Sequence, residues 1–141
     1  MTPFLDTSAL VKRYVEEPGS TSVRRLLRRT RPAVARITYA ELAAVIARAA
    51  REAVIDESQR DAILARLDGD FASFTVVEIR RATLRIVPGL VVQHALRGYD
   101  AVQLAAALAI RREGGAVAFW STDGDLITAA RAEGLHGVVP A

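Results

Sequence analysis

Cysteine is absent from this chain of 141 residues, and histidine occurs only at His94 and His136. The lack of cysteine excludes disulfides, thiolate zinc ligands and a cysteine nucleophile. Two histidines are too few for a multi-histidine metal site, and no neighbouring residues suggest a proton relay through either of them. The candidate functional residues are therefore sought among the carboxylates.

Long hydrophobic runs are also missing. The longest uncharged stretches, such as residues 101–110, are too short to cross a bilayer. Near the start, Asp6, Lys12 and Arg13 stand where a signal peptide would need apolar residues. The 51% hydrophobic content argues against disorder. We therefore expect a soluble, cytoplasmic protein with no membrane contact and one domain spanning residues 1–141.

Lysine is nearly absent, since Lys12 is the only lysine among the 19 basic residues. The chain also contains 16 acidic residues, which gives a net charge of +3. The guanidinium group of arginine suits bidentate contacts with phosphate. A GC-rich genome would favour arginine in the same way, and the 26 alanines point to such a genome. Four arginines lie on one side of the segment 20–29 and form either a solvated helix face or a surface for RNA or an acidic partner.

Short runs of β-forming residues alternate with amphipathic stretches along the chain. Strands are predicted over residues 2–5, 33–37, 74–79 and 116–121, with a last edge strand over 138–140. Helices are predicted over residues 8–17, 20–29, 38–53, 56–71, 82–96, 99–112 and 126–133. Pro88 and Gly89 should divide the fifth of these helices. The alternation predicts an α/β fold, a three-layer α/β/α sandwich with a mostly parallel central sheet.

Four carboxylates occur where such a fold would gather them. Asp6 follows the first predicted strand and Asp123 follows the fourth, while Glu41 and Asp100 lie near the starts of two helices. Ligands of open α/β sheets bind beyond the carboxyl ends of the strands. We therefore expect these four acids to meet at one end of the sheet.

Each acid also has an ordinary interpretation. Asp6, Asp100 and Asp123 could each cap a helix, and Asp100 with Gln103 has the spacing of a capping box. Glu41 could be a solvated helix residue. It is the joint occurrence of the four acids that favours a functional site.

The helical neighbours of Glu41 bear on that choice. Ile37, Ala44 and Val45 lie three or four positions away and are all apolar. A carboxylate on a buried face is costly unless it is paired or binds a metal. Glu41 is therefore either a solvated helix residue or a carboxylate on a buried face with such a partner.

Four segments that together run through nearly the whole chain form a familiar pattern: FLDTSALVKRY, TYAELAAVIARA, LRGYDAVQLAAALAI and FWSTDGDLITAARAEGL. In these segments the chain resembles the PIN-domain family, and within it the VapC-type toxins of bacterial and archaeal toxin–antitoxin systems. The resemblance implies a PIN-like α/β/α fold and a metal-dependent endoribonuclease that cleaves RNA phosphodiester bonds and acts as the toxin of a pair.

The resemblance also assigns the site residues. The catalytic acids it implies are Asp6, Glu41, Asp100 and Asp123. Of these, Asp6, Asp100 and Asp123 would bind Mg²⁺ or Mn²⁺, and Glu41 would do so directly or through water. Hard divalent ions of this kind prefer carboxylate and water ligands. Supporting hydroxyl groups would come from Ser8, with Thr7 as the alternative, and from Ser121.

Two positions depart from the family pattern. Asp125 follows shortly after Asp123 and is an alternative metal ligand, and Gln103 stands where a histidine is common.

The partners implied by the resemblance are an RNA substrate and a VapB-like antitoxin, with a homodimer inside a larger toxin–antitoxin complex. The apolar helix faces around Val11, Tyr14, Leu26 and Leu27 are candidates for the groove that receives the antitoxin.

Two rival functions remain open. A non-catalytic PIN-like module that binds RNA or a partner would not require all four acids. An aspartate-based phosphotransfer domain is disfavoured. A response-regulator receiver needs a lysine late in the chain, whereas Lys12 is the only lysine here. A haloacid-dehalogenase-like phosphatase has a second aspartate two positions after the first, where this chain has Ser8. Neither GxGxxG nor a Walker loop occurs.

Overall fold

The five-stranded central sheet is parallel throughout. The computed structural model describes all 141 residues. Its strands are β1 Thr2–Leu5, β2 Ala33–Ala35, β3 Thr75–Val77, β4 Val117–Trp120 and β5 His136–Val138, in the spatial order β3-β2-β1-β4-β5. Its α-helices are α1 Thr7–Leu10, α2 Ser20–Arg29, α3 Ile37–Arg51, α4 Glu57–Ala72, α5 Arg81–Leu84, α6 Val87–His94, α7 Gly98–Glu113 and α8 Gly124–Ala132. None of them is long and apolar enough to span a membrane.

Two apolar cores lie on the two faces of the sheet. Successive residues of a strand point to opposite faces, and accordingly Phe4 belongs to one core and Leu5 to the other. Helices α6, α7 and α8 pack on the Phe4 side, where Phe4 stacks on Phe119 with ring centroids 5.5 Å apart. Helices α1 to α4 pack on the Leu5 side. The predicted three-layer α/β/α arrangement is therefore confirmed.

The strand order places a topological switch point beside β1. From β1 the chain builds outward through β2 and β3, and it then returns to place β4 and β5 on the other side of β1. The connections leave β1 and β4 in opposite directions, so a crevice opens beyond their carboxyl ends. Asp6 comes directly after β1, and the segment 121–123 comes directly after β4.

The first helix ends earlier than predicted. After α1 the chain makes a 3₁₀ turn over Val11–Arg13 and leaves the helical path before Glu17. Ser20 closes the turn, because its hydroxyl accepts from the Glu17 N–H and donates to the Val15 carbonyl. Gly19 then adopts a φ of 92°, a left-handed conformation that favours glycine.

The break in the predicted 82–96 helix lies one turn before its expected place. The chain bends at Arg85 and Ile86, between α5 and α6, and Pro88 stands inside the first turn of α6. A proline is tolerated there because the first N–H groups of a helix have no intrahelical acceptor. The last strand is also shifted, since β5 covers His136–Val138 and ends before residues 139–140.

Candidate active site

An open cavity of about 370 Å³ lies beyond the carboxyl ends of β1 and β4. All four predicted acids line it, together with the predicted Ser8. The other lining residues are Thr7, Val11, Glu17, Val45, Gln103 and Thr122. Only two of these eleven side chains are hydrophobic, so the cavity suits a polar ligand. We call it the acidic cavity.

Asp6 is the most firmly held of the four acids. It is 5% exposed and caps α1, since Oδ1 accepts from the Ala9 N–H at 2.9 Å. The same oxygen accepts from Ser8 Oγ at 2.6 Å, and Oδ2 accepts from Ser121 Oγ at 2.5 Å. Asp6 therefore caps a helix and lines the acidic cavity at the same time.

Burial has an electrostatic consequence for Asp6. Loss of solvation raises the pKa of its carboxyl group from 3.8 to about 6. Hydrogen bonds from Ser121, Ser8 and the Ala9 N–H oppose that rise, and the charge of Asp100 adds to it. A cation in the cavity would favour the ionised carboxylate.

Ser8 and Ser121 join the start of α1 to the loop that follows β4. Their hydroxyl oxygens are 3.3 Å apart. Ser8 Oγ also accepts from the Thr122 N–H at 2.9 Å, and Ser121 Oγ from the Asp123 N–H at 3.0 Å. The predicted supporting hydroxyl groups thus tie Asp6 to the loop that carries Asp123.

Asp123 caps α8 and lines the cavity at the same time. Its Oδ1 accepts from the N–H groups of Asp125 and Leu126, at 2.9 and 3.2 Å, which leaves Oδ2 without a protein partner. Asp125 itself does not line the acidic cavity. It borders a different hollow, beside Gln93 and His94.

Asp100 is not a capping residue. Helix α7 begins at Gly98, with Arg97 as its N-cap and no capping hydrogen bond from a side chain, so Asp100 lies inside the first turn. Burial raises the pKa of Asp100, the charges of Asp123 and Glu41 raise it further, and Arg97 opposes the shift. The capping-box interpretation is wrong because Gln103 bonds to other partners.

Glu41 is half-buried, but its surroundings differ from the predicted apolar face. Ala44 and Val45 are exposed, Val45 by 40%, at the rim of the cavity. The carboxylate is held by polar groups instead. Its Oε1 accepts from Thr7 Oγ1 at 2.7 Å and from Gln103 Nε2 at 2.8 Å.

Sequence reasoning missed Thr38 and Glu17 at this site. Thr38 is fully buried and accepts from Gln103 Nε2 at 2.8 Å. It stands three residues before Glu41, on the same side of the helix, a spacing that could have revealed it. Glu17 lines the cavity and accepts from the buried Lys12 ammonium at 3.0 Å, and no sequence pattern marks that pair.

The donor set of the cavity fits a hard divalent cation. Its ligating groups are carboxylate and hydroxyl oxygens, the donors that Mg²⁺ and Mn²⁺ prefer. The histidines lie elsewhere, since His94 contacts Glu133 at 2.9 Å and His136 is exposed on β5. No three acidic or histidine side chains stand close enough together in this structure to hold one ion directly.

Comparison with known proteins gives a consistent result. The model of the PIN domain family matches residues 4–132. Ribonuclease VapC45 of Mycobacterium tuberculosis is 37% identical over 143 aligned positions, which cover 98% of this chain and 94% of the relative. The chain therefore belongs to the PIN-domain family, the class that its fold and acidic cavity define. Within that family it is homologous to the VapC ribonucleases.

Solved structures share the fold at lower identity. PAE2754 from Pyrobaculum aerophilum superposes with a TM-score of 0.70 and 18% identity, over 99% of this chain and 89% of the other. A toxin–antitoxin complex from Klebsiella pneumoniae contains a chain that matches with a TM-score of 0.65 and 18% identity, over 99% of this chain and 98% of the other. At such identities the likeness establishes the fold alone.

Proposed function

We propose that this protein is a Mg²⁺- or Mn²⁺-dependent endoribonuclease and that this activity makes it the toxin of a toxin–antitoxin pair. The observation that carries the proposal is the convergence of Asp6, Glu41, Asp100 and Asp123 on one polar cavity at the switch point of the sheet. These acids come from four separate parts of the chain. The homology with VapC ribonucleases favours RNA as the substrate.

We assign Asp6, Asp100 and Asp123 as the metal ligands, with Glu41 acting directly or through water. The three acids stand too far apart in this structure to bind one ion directly, and Mg²⁺ keeps several waters when it binds, so we expect water molecules to bridge some of these carboxylates to the ion. When bound, the ion would lower the pKa of a water ligand and neutralise charge on the phosphate. Oδ2 of Asp123 and both carboxylate oxygens of Asp100 accept no hydrogen bond from the protein, so these oxygens are available to the ion.

The chain's own residues prepare this cavity. Ser8 and Ser121 hold both oxygens of Asp6 in place, so that this carboxylate need not reorganise. Thr7 and Gln103 do the same for one oxygen of Glu41. Apart from the four acids, 19 basic side chains face 12 acidic ones, a balance of +7 that attracts a polyanion.

The activity is tested with purified protein and a single-stranded or looped RNA. We expect cleavage in Mg²⁺ or Mn²⁺, loss of cleavage in EDTA, and recovery when the metal is restored in excess. Equal cleavage in EDTA, in a preparation free of contaminating nuclease, would contradict the metal-dependent mechanism. Binding of RNA without cleavage in either metal would favour the non-catalytic module.

We further propose a VapB-like antitoxin as partner, a homodimer within the larger complex, and action in the cytoplasm, where the RNA substrate lies. The matching chain in a toxin–antitoxin complex supports the antitoxin. Of the residues suggested for its groove, Val11 is buried, and Tyr14, Leu26 and Leu27 are half-buried against the core. Three of the four residues that line the hollow beside Leu27 are arginines, and the hollow beside Leu26 contains two more, so a segment bound there would also meet guanidinium groups.

Expression in a bacterial host tests the biological role. We expect the wild-type protein to stop growth and co-expression of an adjacent antitoxin gene to restore it. A variant without nuclease activity should be harmless yet still co-purify with the antitoxin. Harmless wild-type expression without any bound antitoxin would contradict the toxin role and leave the nuclease activity to the test above.

A further inference from the structure

Gln103 is the most deeply buried residue that lines the acidic cavity, with 3% of its surface exposed. Its Nε2 donates to Glu41 Oε1 and to Thr38 Oγ1, both at 2.8 Å, and lies 3.4 Å from Thr7 Oγ1. Its Oε1 is buried without any hydrogen-bond partner. An unpartnered buried acceptor destabilises the fold, so the core alone does not account for a glutamine here.

The contacts made by Nε2 supply a reason. We infer that Gln103 is a positioning residue for Glu41, which it holds ready for the divalent cation of the proposed function. Gln103 and Thr7 both bond to Oε1 of Glu41, and no protein group bonds to Oε2. One oxygen of the carboxylate is thereby fixed and the other remains available as a ligand.

The positions of the two helices explain why a long amide is needed. Glu41 is carried by α3 on one face of the sheet, and Gln103 by α7 on the other. Hydrogen bonds from Gln103 to Glu41 and to Thr38 link the two helices beyond the strand ends. Because Gln103 stands one turn after Asp100, α7 carries both an acid of the cavity and the group that orients a second acid.

The chemistry of the amide also fits this role. A glutamine donates a hydrogen bond without bringing a charge, whereas a lysine or arginine would compete with the cation for Glu41. A glutamate side chain on a helix otherwise loses rotamer freedom when it binds a metal. Holding it beforehand removes part of that loss and so raises the affinity for the cation.

The test compares metal binding in two backgrounds. Mn²⁺ binding is measured by calorimetry, without RNA, for the wild type, Gln103→Met, Glu41→Gln and the double variant. Methionine keeps the length of the side chain and removes the donor. We expect Gln103→Met to weaken Mn²⁺ binding about tenfold, the size of a lost hydrogen bond to a charged acceptor. In the Glu41→Gln background the same change should have less than about a twofold effect.

Gln93→Met, on the exposed side of α6, is the matched control and should bind Mn²⁺ like the wild type. If Gln103→Met does not fold, Gln103→Ala replaces it in both backgrounds. The inference would be overturned if Gln103→Met lowered the Mn²⁺ affinity equally in the wild-type and Glu41→Gln backgrounds, or lowered it in neither. A wild-type protein that binds no Mn²⁺ overturns the proposed metal dependence and the inference with it. Mn²⁺ binding without RNA cleavage would contradict only the nuclease.

Discussion

The acidic cavity and the exposed side of α2 carry opposite charges and are built in opposite ways. In the cavity, Asp6 has both carboxylate oxygens hydrogen-bonded and is buried. On α2, the side chains of Arg25, Arg28 and Arg29 are exposed and form no ion pair; we call them the arginine face. Chemistry at a phosphorus atom needs fixed groups, whereas attraction of a polyanion needs only charge. Substitutions should therefore have large local effects in the cavity and smaller, additive effects on α2.

The largest effect is expected from the cavity. Asp6→Asn and Asp100→Asn should each reduce RNA cleavage by about 100-fold or more, because even residues that only support a metal ligand are worth about 10–100-fold. Initial rates at saturating Mg²⁺ measure this loss, and circular dichroism checks the fold. Asp125→Asn is the matched control outside the cavity and should stay active. If it is as inactive as Asp123→Asn, the assignment of the fourth ligand is incomplete.

A smaller effect is expected from the arginine face. Replacing Arg25, Arg28 and Arg29 by serine should weaken RNA binding about tenfold for all RNA sequences. The slope of the logarithm of the binding constant against the logarithm of the salt concentration should become shallower by up to about three. Binding is measured with the inactive Asp6→Asn protein over a range of salt concentrations. A control with Arg81, Arg85 and Arg112 replaced removes the same charge elsewhere on the surface. Equal losses in both would show that net charge matters and position does not. Weaker antitoxin binding with unchanged RNA binding would assign the face to the partner.

The pH dependence of stability should reveal the burial of Asp6. The pKa of Asp6 is about 6 in the folded protein and 3.8 is its ordinary value, so the folded state binds more protons between these values. Stability from this group is therefore present below about pH 4 and is lost as pH rises through 6. When the pH rises from 5 to 7.5 in EDTA, the free energy of unfolding should fall by about 1 kcal/mol more for the wild type than for Asp6→Asn. Urea unfolding measures this difference, and parallel pH curves would contradict the shift.

The smallest effect is expected at His94. It contacts Glu133 and borders the hollow that contains Asp125, away from the acidic cavity. His94→Gln should therefore leave the rate of RNA cleavage unchanged within about twofold, since it removes no group of the cavity. A loss comparable with that of Asp100→Asn would extend the active site to α6.

Much of the cavity could be predicted because its acids obey local rules. Asp6 and Asp123 each follow a strand and begin a helix, and the switch-point rule then places them together. The reason assigned to Glu41 was wrong, because Ala44 and Val45 turned out to be exposed. Helical spacing shows which residues share a face, but it does not show what that face meets.

The sequence by itself determined the alternation of strands and helices, the parallel sheet and the four acids, since periodicity and strand ends are properties of neighbouring residues. Only the tertiary structure decided that Gln103 bonds to Glu41, 62 positions away, and not to the backbone of its own helix. It also decided that the break near Pro88 comes one turn earlier, and that burial raises the pKa of Asp6. These features depend on which groups the packed layers exclude from water and bring within reach, and no local pattern encodes that.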